Sequence, residues 1–194
     1  MSKGLIVTIA FGILVLFGGV WGCNKRNNFK ALREDAKAQW QQVESQYQRR
    51  MDLIPNIVAS VKGEANFEKS TLEAVVAARA SATQVKVNLD NLSEEEIAKY
   101  KAAQGELSNT LGRLLMVTEN YPQLQSNKAF SELRVELEGC ENRISTERMK
   151  YNNKSRDFNK AIQMFPGSLV AGGLPAMPYF ESDAGSEKAP KVEF

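Results

Sequence analysis

The residues best suited to chemistry in this 194-residue chain are a short charged set made of Arg49, Arg50 and Asp52. Two adjacent guanidinium groups can bind a phosphate or a partner's carboxylate through charge-assisted hydrogen bonds. More often such a set forms ion pairs on the surface of its own helical bundle, and the sequence leaves both interpretations open. Pro55 is expected to kink the same helix and to free backbone carbonyls there, which would suit the wall of a small pocket.

The rest of the sequence does not indicate a catalytic site. The chain contains no histidine, so it lacks the most common general base and the most common metal ligand. Its two cysteines, Cys23 and Cys140, do not make a disulfide framework. The run Glu94–Glu96 is typical of a solvated helix start, and Asn152 is interpreted as a helix-surface or capping residue. We therefore expect a protein that is not an enzyme and that holds no cofactor and no metal.

The amino-terminal run from Gly4 to Cys23 has no charged side chain and is rich in Leu, Ile, Val and Phe. As a helix, a run of this length matches the hydrocarbon core of a bilayer, so it predicts a transmembrane anchor. Trp21 at its end suits the membrane–water interface. A cleaved signal peptide is one alternative, although no small-x-small cleavage site follows the run. A lipoprotein acylated at Cys23 is the other.

Charges on the two sides of this run predict its orientation. Lys3 and the terminal amine precede it, whereas Lys25, Arg26, Lys30 and Arg33 follow it. Positive flanks stay on the cytoplasmic side, so we expect a single span with its amino terminus outside and the larger part of the chain in the cytoplasm. The same four cations would lie near anionic lipid headgroups.

The chain after this run has the periodicity of amphipathic helices. From Phe29 to Ala65 apolar residues recur at the α-helical period on both sides of Pro55, which favours one kinked helix that stops near Gly63. A second helix is predicted over residues 66–87, followed by a polar turn at residues 88–91. Its apolar anchors are Leu72, Val75 and Val76.

Two further helices are predicted after the polar turn. Ser93 with Glu96 forms a capping box that starts the third helix, and Pro122 ends it. The fourth helix is predicted to begin near Ser126 or Asn127 and to end at Pro166–Gly167. Its heptad register contains Phe130, Leu133, Leu137, Cys140, Ile144, Tyr151, Phe158, Ala161 and Phe165, with Glu147 and Lys154 at two inward-facing positions.

These elements predict an all-α fold: an N-terminal transmembrane helix, then an antiparallel up-and-down four-helix bundle with long first and last helices. We divide the chain into an anchor (residues 1–26), a helical bundle (27–165) and a tail (166–194). The tail is apolar as far as Phe180 but too rich in Gly and Pro for a helix, and from Glu181 it is predicted to be disordered. The apolar part either bridges to a neighbouring copy in a homo-oligomer, or folds back over its own bundle.

Three stretches, Arg49–Val58, Glu119–Leu124 and Glu141–Ile144, occur with Tyr151–Asn152, Phe165–Pro166 and Tyr179–Glu181 downstream. Their order and spacing resemble the LemA family of bacterial membrane proteins over nearly the whole chain. The resemblance implies a single amino-terminal span in the bacterial cytoplasmic (inner) membrane and an antiparallel helical bundle in the cytoplasm. It implies no catalytic activity and brings no catalytic residues. Cys23 departs from the usual family pattern, so the lipoprotein alternative stays open.

We expect a non-enzymatic, membrane-anchored scaffold that presents its bundle to protein partners or to copies of itself. The alternative is a sensor of a small ligand or peptide, built on the region from Arg49 and Arg50 to Pro55. Membrane lipids are expected partners, whereas a net charge of +2 gives no general attraction to nucleic acid. The candidate interaction surface comprises Arg49, Arg50, Asp52, Asn56, Glu119, Asn120, Tyr121, Tyr179 and Phe180.

Overall fold

The computed structural model describes residues 3–64, 67–89 and 92–180, without the side chains of residues 3, 5–7, 9 and 10. Within these ranges the backbone forms five α-helices and no β-strand, which confirms the all-α prediction. The elements are α1 (Lys3–Lys62), α2 (Lys69–Gln84), α3 (Glu94–Thr118), α4 (Pro122–Ser126), α5 (Lys128–Gln163) and a 3₁₀ turn (Gly167–Leu169). The tail from Glu181, for which disorder is predicted, lies outside the described ranges.

The first helix joins the apolar amino-terminal run to the bundle without interruption. It is 60 residues long, contains Pro55, and ends at Lys62, next to the predicted stop at Gly63. Its inward face follows the predicted spacing, while Ala65 lies outside the described ranges. The buried positions on this face include Phe29, Ala36, Trp40, Val43, Tyr47, Met51, Ile54, Val58 and Val61.

Large apolar side chains on the first part of α1 stay exposed. Phe11, Leu14, Leu16 and Phe17 are between 69% and 74% exposed. Among the residues that the structure describes, no helix offers a stretch both long enough and apolar enough to cross a membrane, so the predicted span has no support there. The side chains of residues 5–7, 9 and 10, which belong to the predicted span, lie outside that description.

Helices α1 and α5 form the main antiparallel pair. Lys154 contacts Asp35 (3.1 Å) and Arg50 contacts Glu141 (2.7 Å), so the residue number falls along α5 as it rises along α1. Helices α2 and α3 pack together as the second pair. The up-and-down arrangement agrees with the prediction, and the short α4 between α3 and α5 is an addition to it.

Local side chains set the starts of α3 and α5. Ser93 accepts a hydrogen bond from the amide of Glu96 (3.1 Å), and Asn127 accepts one from the amide of Phe130 (3.2 Å). Both bonds satisfy donors that the first turn of a helix otherwise leaves unpaired. The predicted starts are therefore confirmed, whereas α2 is shorter at both ends than the predicted 66–87.

For two residues the prediction of a core position is wrong. Val76 is 52% exposed and Phe165 is 79% exposed. Because α5 ends at Gln163, Phe165 no longer follows the helical register, and Ile162 is buried in its place. The inward-facing charges of α5 are paired: Lys154 with Asp35, as above, and Glu147 with Lys150 (2.8 Å).

The apolar tail folds back onto its own bundle. Ala171, Met177 and Phe180 are buried in the cluster that also contains Trp40 and Tyr151. The hydroxyl of Tyr151 donates a hydrogen bond to the carbonyl of Pro178 (3.0 Å). The fold-back alternative therefore describes residues 171–180, and assembly into a homo-oligomer stays a prediction.

Candidate functional site

A buried arginine joins three helices at the middle of the bundle. Arg50 of α1 is 1% exposed. Its Nη1 donates to the carboxylate of Glu141 on α5 (2.7 Å) and to the hydroxyl of Ser108 on α3. Its Nη2 donates to the backbone carbonyl (3.0 Å) and the side-chain oxygen (2.6 Å) of Gln104 on α3. A buried charge is tolerated only when it is paired and hydrogen-bonded, so this network holds α1, α3 and α5 in one register.

The network arises because polar residues occupy apolar faces. Arg50 lies three residues after Tyr47 and four before Ile54, on the inward face of α1. Gln104 lies four residues after Tyr100 and three before Leu107, on the inward face of α3. Sequence reasoning missed Gln104, Ser108 and Glu141. A polar residue in an otherwise apolar helical stripe was the signal that could have found the first of them.

The Arg50 network forms the floor of a cleft of about 310 Å³ between α1, α3 and α5. Two buried donors on this floor, Arg50 Nε and Gln104 Nε2, have no acceptor in hydrogen-bonding geometry among the described residues. Three cations and one carboxylate line the cleft, so its field favours an acidic group. The lining residues are Tyr47, Arg50, Lys101, Gln104, Gly105, Ser108, Asn109, Glu141, Ile144 and Arg148.

The neighbouring candidates on α1 face other directions. Arg49 is half-exposed and pairs with Glu136 of α5 (2.9 Å). The hydrogen bond and charge of Glu136 raise the pKa of Arg49 above its usual range. Asp52 accepts a hydrogen bond from Gln48 (2.8 Å), and Asn56 is exposed. Arg49 and Arg50 therefore do not form one guanidinium clamp; each has its own carboxylate partner.

The remaining candidates lie in two other parts of the bundle. Glu119 and Asn120 are exposed in the turn after α3, and Tyr121 packs on the ring of Phe67 with centroids 5.1 Å apart. Tyr179 and Phe180 belong to the tail beside Trp40, which lies roughly 15 Å along α1 from Arg50. The candidates thus occupy three separate places. Tyr179 also lines a larger groove of about 940 Å³ along α3.

Two asparagines of α5 hold the tail, and sequence reasoning missed this role. Asn159 accepts from the amide of Met177 (2.7 Å) and donates to its carbonyl (2.8 Å). Asn152 bonds the amide and carbonyl of Phe180 in the same way (2.8 Å each). The interpretation of Asn152 as a surface or capping residue is therefore wrong. Their separation of seven residues puts both on one face of α5, which was the available signal.

The two thiols differ in environment. Cys140 is buried, and its Sγ contacts the backbone carbonyl of Gln46 (3.3 Å). Burial raises the pKa of the Cys140 thiol, which disfavours the reactive thiolate. Cys23 is exposed on α1. The environment of Cys140 is therefore not that of an activated catalytic cysteine.

The chain is similar in sequence to known proteins. The family model described as the LemA family matches residues 39–194. The chain is 28% identical to a magnetosome protein, MamQ 1 of Paramagnetospirillum magneticum, over 80% of this chain and 64% of that protein. It is also 28% identical to MamQ of Magnetospirillum gryphiswaldense, over 95% of this chain and 76% of that one.

A further relative is protein LemA of Metamycoplasma hominis, 25% identical over 68% of this chain and 57% of that protein. The chain therefore spans less than two thirds of the length of some of these relatives. The family match covers most of the bundle and the whole tail, including Arg50, Glu141, Asn152 and Asn159. On the strength of that match, the chain belongs to the LemA family.

Proposed function

We propose that this protein is a non-enzymatic scaffold attached to a membrane by the amino-terminal part of α1. The observation that carries the proposal is the exposure of large apolar side chains from Phe11 to Trp21 on a helix that continues directly into the packed bundle. Exposed apolar groups of this extent mark an interaction with an apolar phase or partner. Their transfer from water is favourable by about 25 cal/mol for each Å² buried.

The basic residues after the apolar part support the orientation. Lys25, Arg26 and Lys30 lie within the next two turns of α1, and Arg26 and Lys30 are exposed. Cations at this position favour the cytoplasmic side of a membrane and anionic headgroups. We therefore place the bundle in the cytoplasm, at the bacterial cytoplasmic membrane, with the amino terminus outside.

Features of the bundle support the proposed scaffold role. Four of the five N–H donors of the buried Arg50 are hydrogen-bonded to residues of the bundle. Burial raises the pKa of the Cys140 thiol, which disfavours the reactive thiolate. In the segment Leu169–Phe180, for which bridging between copies is one prediction, Met177 and Phe180 are buried against the same chain, whereas Leu169 and Tyr179 are exposed. Protein partners, or further copies, would therefore contact the outer faces of the bundle.

Membrane extraction tests the attachment. Ile13→Arg places a charge in the middle of the apolar part of α1, which costs about 2.5–3.5 kcal/mol on insertion scales. We expect this variant to leave the carbonate-washed membrane fraction, whereas Val135→Arg, at an exposed apolar position on α5, should stay. Retention of Ile13→Arg together with an unmodified amino terminus would contradict the proposal. Mass spectrometry separates a lipid on Cys23 from that result.

The second candidate is a sensor of a small acidic ligand or peptide, favoured by the cleft over Arg50 and Gln104. Saturable thermal stabilisation of the full chain by inorganic phosphate or by a short glutamate peptide would support it. Lys101 lines the cleft, whereas Lys99 is exposed and pairs with Glu95 (2.7 Å). Lys101→Gln should therefore weaken the effect and Lys99→Gln should not. No stabilisation by either probe would count against this candidate.

A further inference from the structure

The loop after α5 lies beside the apolar part of α1. A Cβ on Gly22 would be 3.6 Å from Cγ1 of Val170, and a Cβ on Gly172 would be 3.6 Å from the guanidinium of Arg26. Gly167 approaches the ring of Phe29 in the same way (3.3 Å). Residues 164–172 therefore lie at the level of residues 22–29 of α1, a length of roughly 10 Å along the helix axis.

This loop exposes apolar side chains at its tip. Met164, Phe165 and Leu169 are 55%, 79% and 71% exposed. The turn is tight, because a Cβ on Gly167 would overlap the carbonyl oxygen of Ala161, so only glycine fits there. The backbone is thus held against α5 while the three apolar side chains point away from the core. Such a group is costly in water and needs an apolar contact.

Positive charge surrounds the same tip. Lys25 and Lys160 line a cavity of about 410 Å³ beside Phe165, with Asp157 as its acidic member. Arg26 reaches Gly172, as described above, and Lys30 is exposed one turn further along α1. This combination matches the surface of a bilayer. The apolar side chains can contact acyl chains, and the cations can contact anionic headgroups.

We propose that residues 164–169 insert into the surface of a bilayer with anionic headgroups, as a second membrane contact next to α1. The inference rests on the proposed attachment through α1. Val170 lies beside Gly22, so Leu169 and Trp21 are at adjacent levels of α1. The interfacial layer of each leaflet is about 5–8 Å deep, so these two side chains can occupy it together. A helix alone can rotate about its axis, whereas two contacts fix which face of the bundle points along the membrane.

Lipid quenching of a fluorescent label tests the contact on the full chain. Cys23→Ser leaves Cys140 as a buried thiol, so single cysteines can be labelled at chosen exposed sites. Leu169→Cys reports on the loop, and Leu16→Cys reports on the attachment through α1. Val135→Cys is the matched control, because Val135 is 65% exposed and lies about 44 Å along α5 from the loop. Each labelled protein is reconstituted in vesicles of phosphatidylcholine and phosphatidylglycerol containing nitroxide lipids.

We expect a blue-shifted emission and lipid quenching at Leu16 and Leu169, and neither at Val135. Quenching at Leu16 without quenching at Leu169 would overturn the loop contact and leave the attachment through α1 intact. No quenching at Leu16 would overturn the attachment and the inference with it. In vesicles of phosphatidylcholine alone, quenching at Leu169 should decrease, and an unchanged value would overturn the role given to the anionic headgroups.

Discussion

Phe180, near the end of the described tail, stacks on Trp40 of the first helix, with ring centroids 5.1 Å apart and planes 6° from parallel. Tyr151 meets both rings edge-on, at 5.3 Å from Trp40 and 5.6 Å from Phe180. This arrangement joins α1, α5 and the tail in one aromatic cluster. The tail is therefore part of the core around Trp40.

Removing the stacked ring should destabilise the fold. Phe180 is 4% exposed, and truncation of a buried Phe costs about 3–5 kcal/mol. We expect Phe180→Ala to lower the melting temperature of the full chain in detergent while its mass by light scattering stays the same. Met116→Ala on α3, where the side chain is 68% exposed, is the control and should change neither. A smaller mass with an unchanged melting temperature would instead indicate bridging between copies.

Replacing Asn159, which binds the backbone of Met177, should destabilise the fold more than replacing Asn153, which is exposed on the same helix. Asn159 is 5% exposed and uses both its oxygen and its nitrogen on the tail backbone. Asn159→Ala leaves a buried amide and carbonyl unpaired, at about 1–3 kcal/mol. Asn153 is exposed, so Asn153→Ala is expected to stay within about 0.5 kcal/mol of wild type. Urea unfolding followed by circular dichroism measures both free energies of unfolding, and equal losses would contradict the role given to Asn159.

Substitution by lysine should lower the free energy of unfolding more at Arg50 than at Arg49. Arg50 binds four acceptors on Gln104, Ser108 and Glu141, whereas a lysine ammonium has three donors. We therefore expect Arg50→Lys to cost about 1–3 kcal/mol, because an acceptor is left unpaired in the interior. Arg49→Lys changes only a half-exposed pair with Glu136 and should cost less than about 1 kcal/mol. Chemical denaturation of both variants checks this. A similar small loss in each would show that the buried network contributes little.

Alkaline pH should weaken the fold through its buried tyrosines. Burial raises the pKa of Tyr151 from 10.0 to about 12, and burial also raises the pKa of Tyr100. Between about pH 10 and 12 the unfolded chain loses these protons while the folded chain keeps them, so the unfolding free energy falls with rising pH. The stabilisation is complete below pH 10 and is lost as pH rises through the folded-state value.

Unfolding in urea at pH 9 and pH 11 measures this loss. Tyr151→Phe removes one of the titrating groups, so its stability should fall less between the two pH values than that of wild type. The variant also lacks the hydrogen bond to Pro178 and should start from a lower stability at pH 9. An identical pH dependence in both proteins would show that Tyr151 ionises normally in the folded state.

The sequence alone determined the helical class and most helix positions. The apolar spacing from Phe29 to Val61 and the caps at Ser93 and Asn127 depend on neighbours a few residues apart, and such signals are readable in a linear chain. The apolar run before Cys23 is readable in the same way. Its attachment to a membrane remains our proposal.

Only the tertiary structure decided the site and the tail. Arg50 is buried because its partners Gln104 and Glu141 arrive from positions 54 and 91 residues away. Phe180 lies inside because Asn152, 28 residues earlier, binds its backbone. From the sequence alone, Arg50 could equally be exposed and the apolar tail could equally contact another copy. Contacts between residues far apart in the sequence decide that both are buried within this chain. Phe165 is the opposite case, a side chain predicted to be buried that is exposed. Helix α5 ends two residues before it, so Phe165 leaves the helical register and lies at the surface.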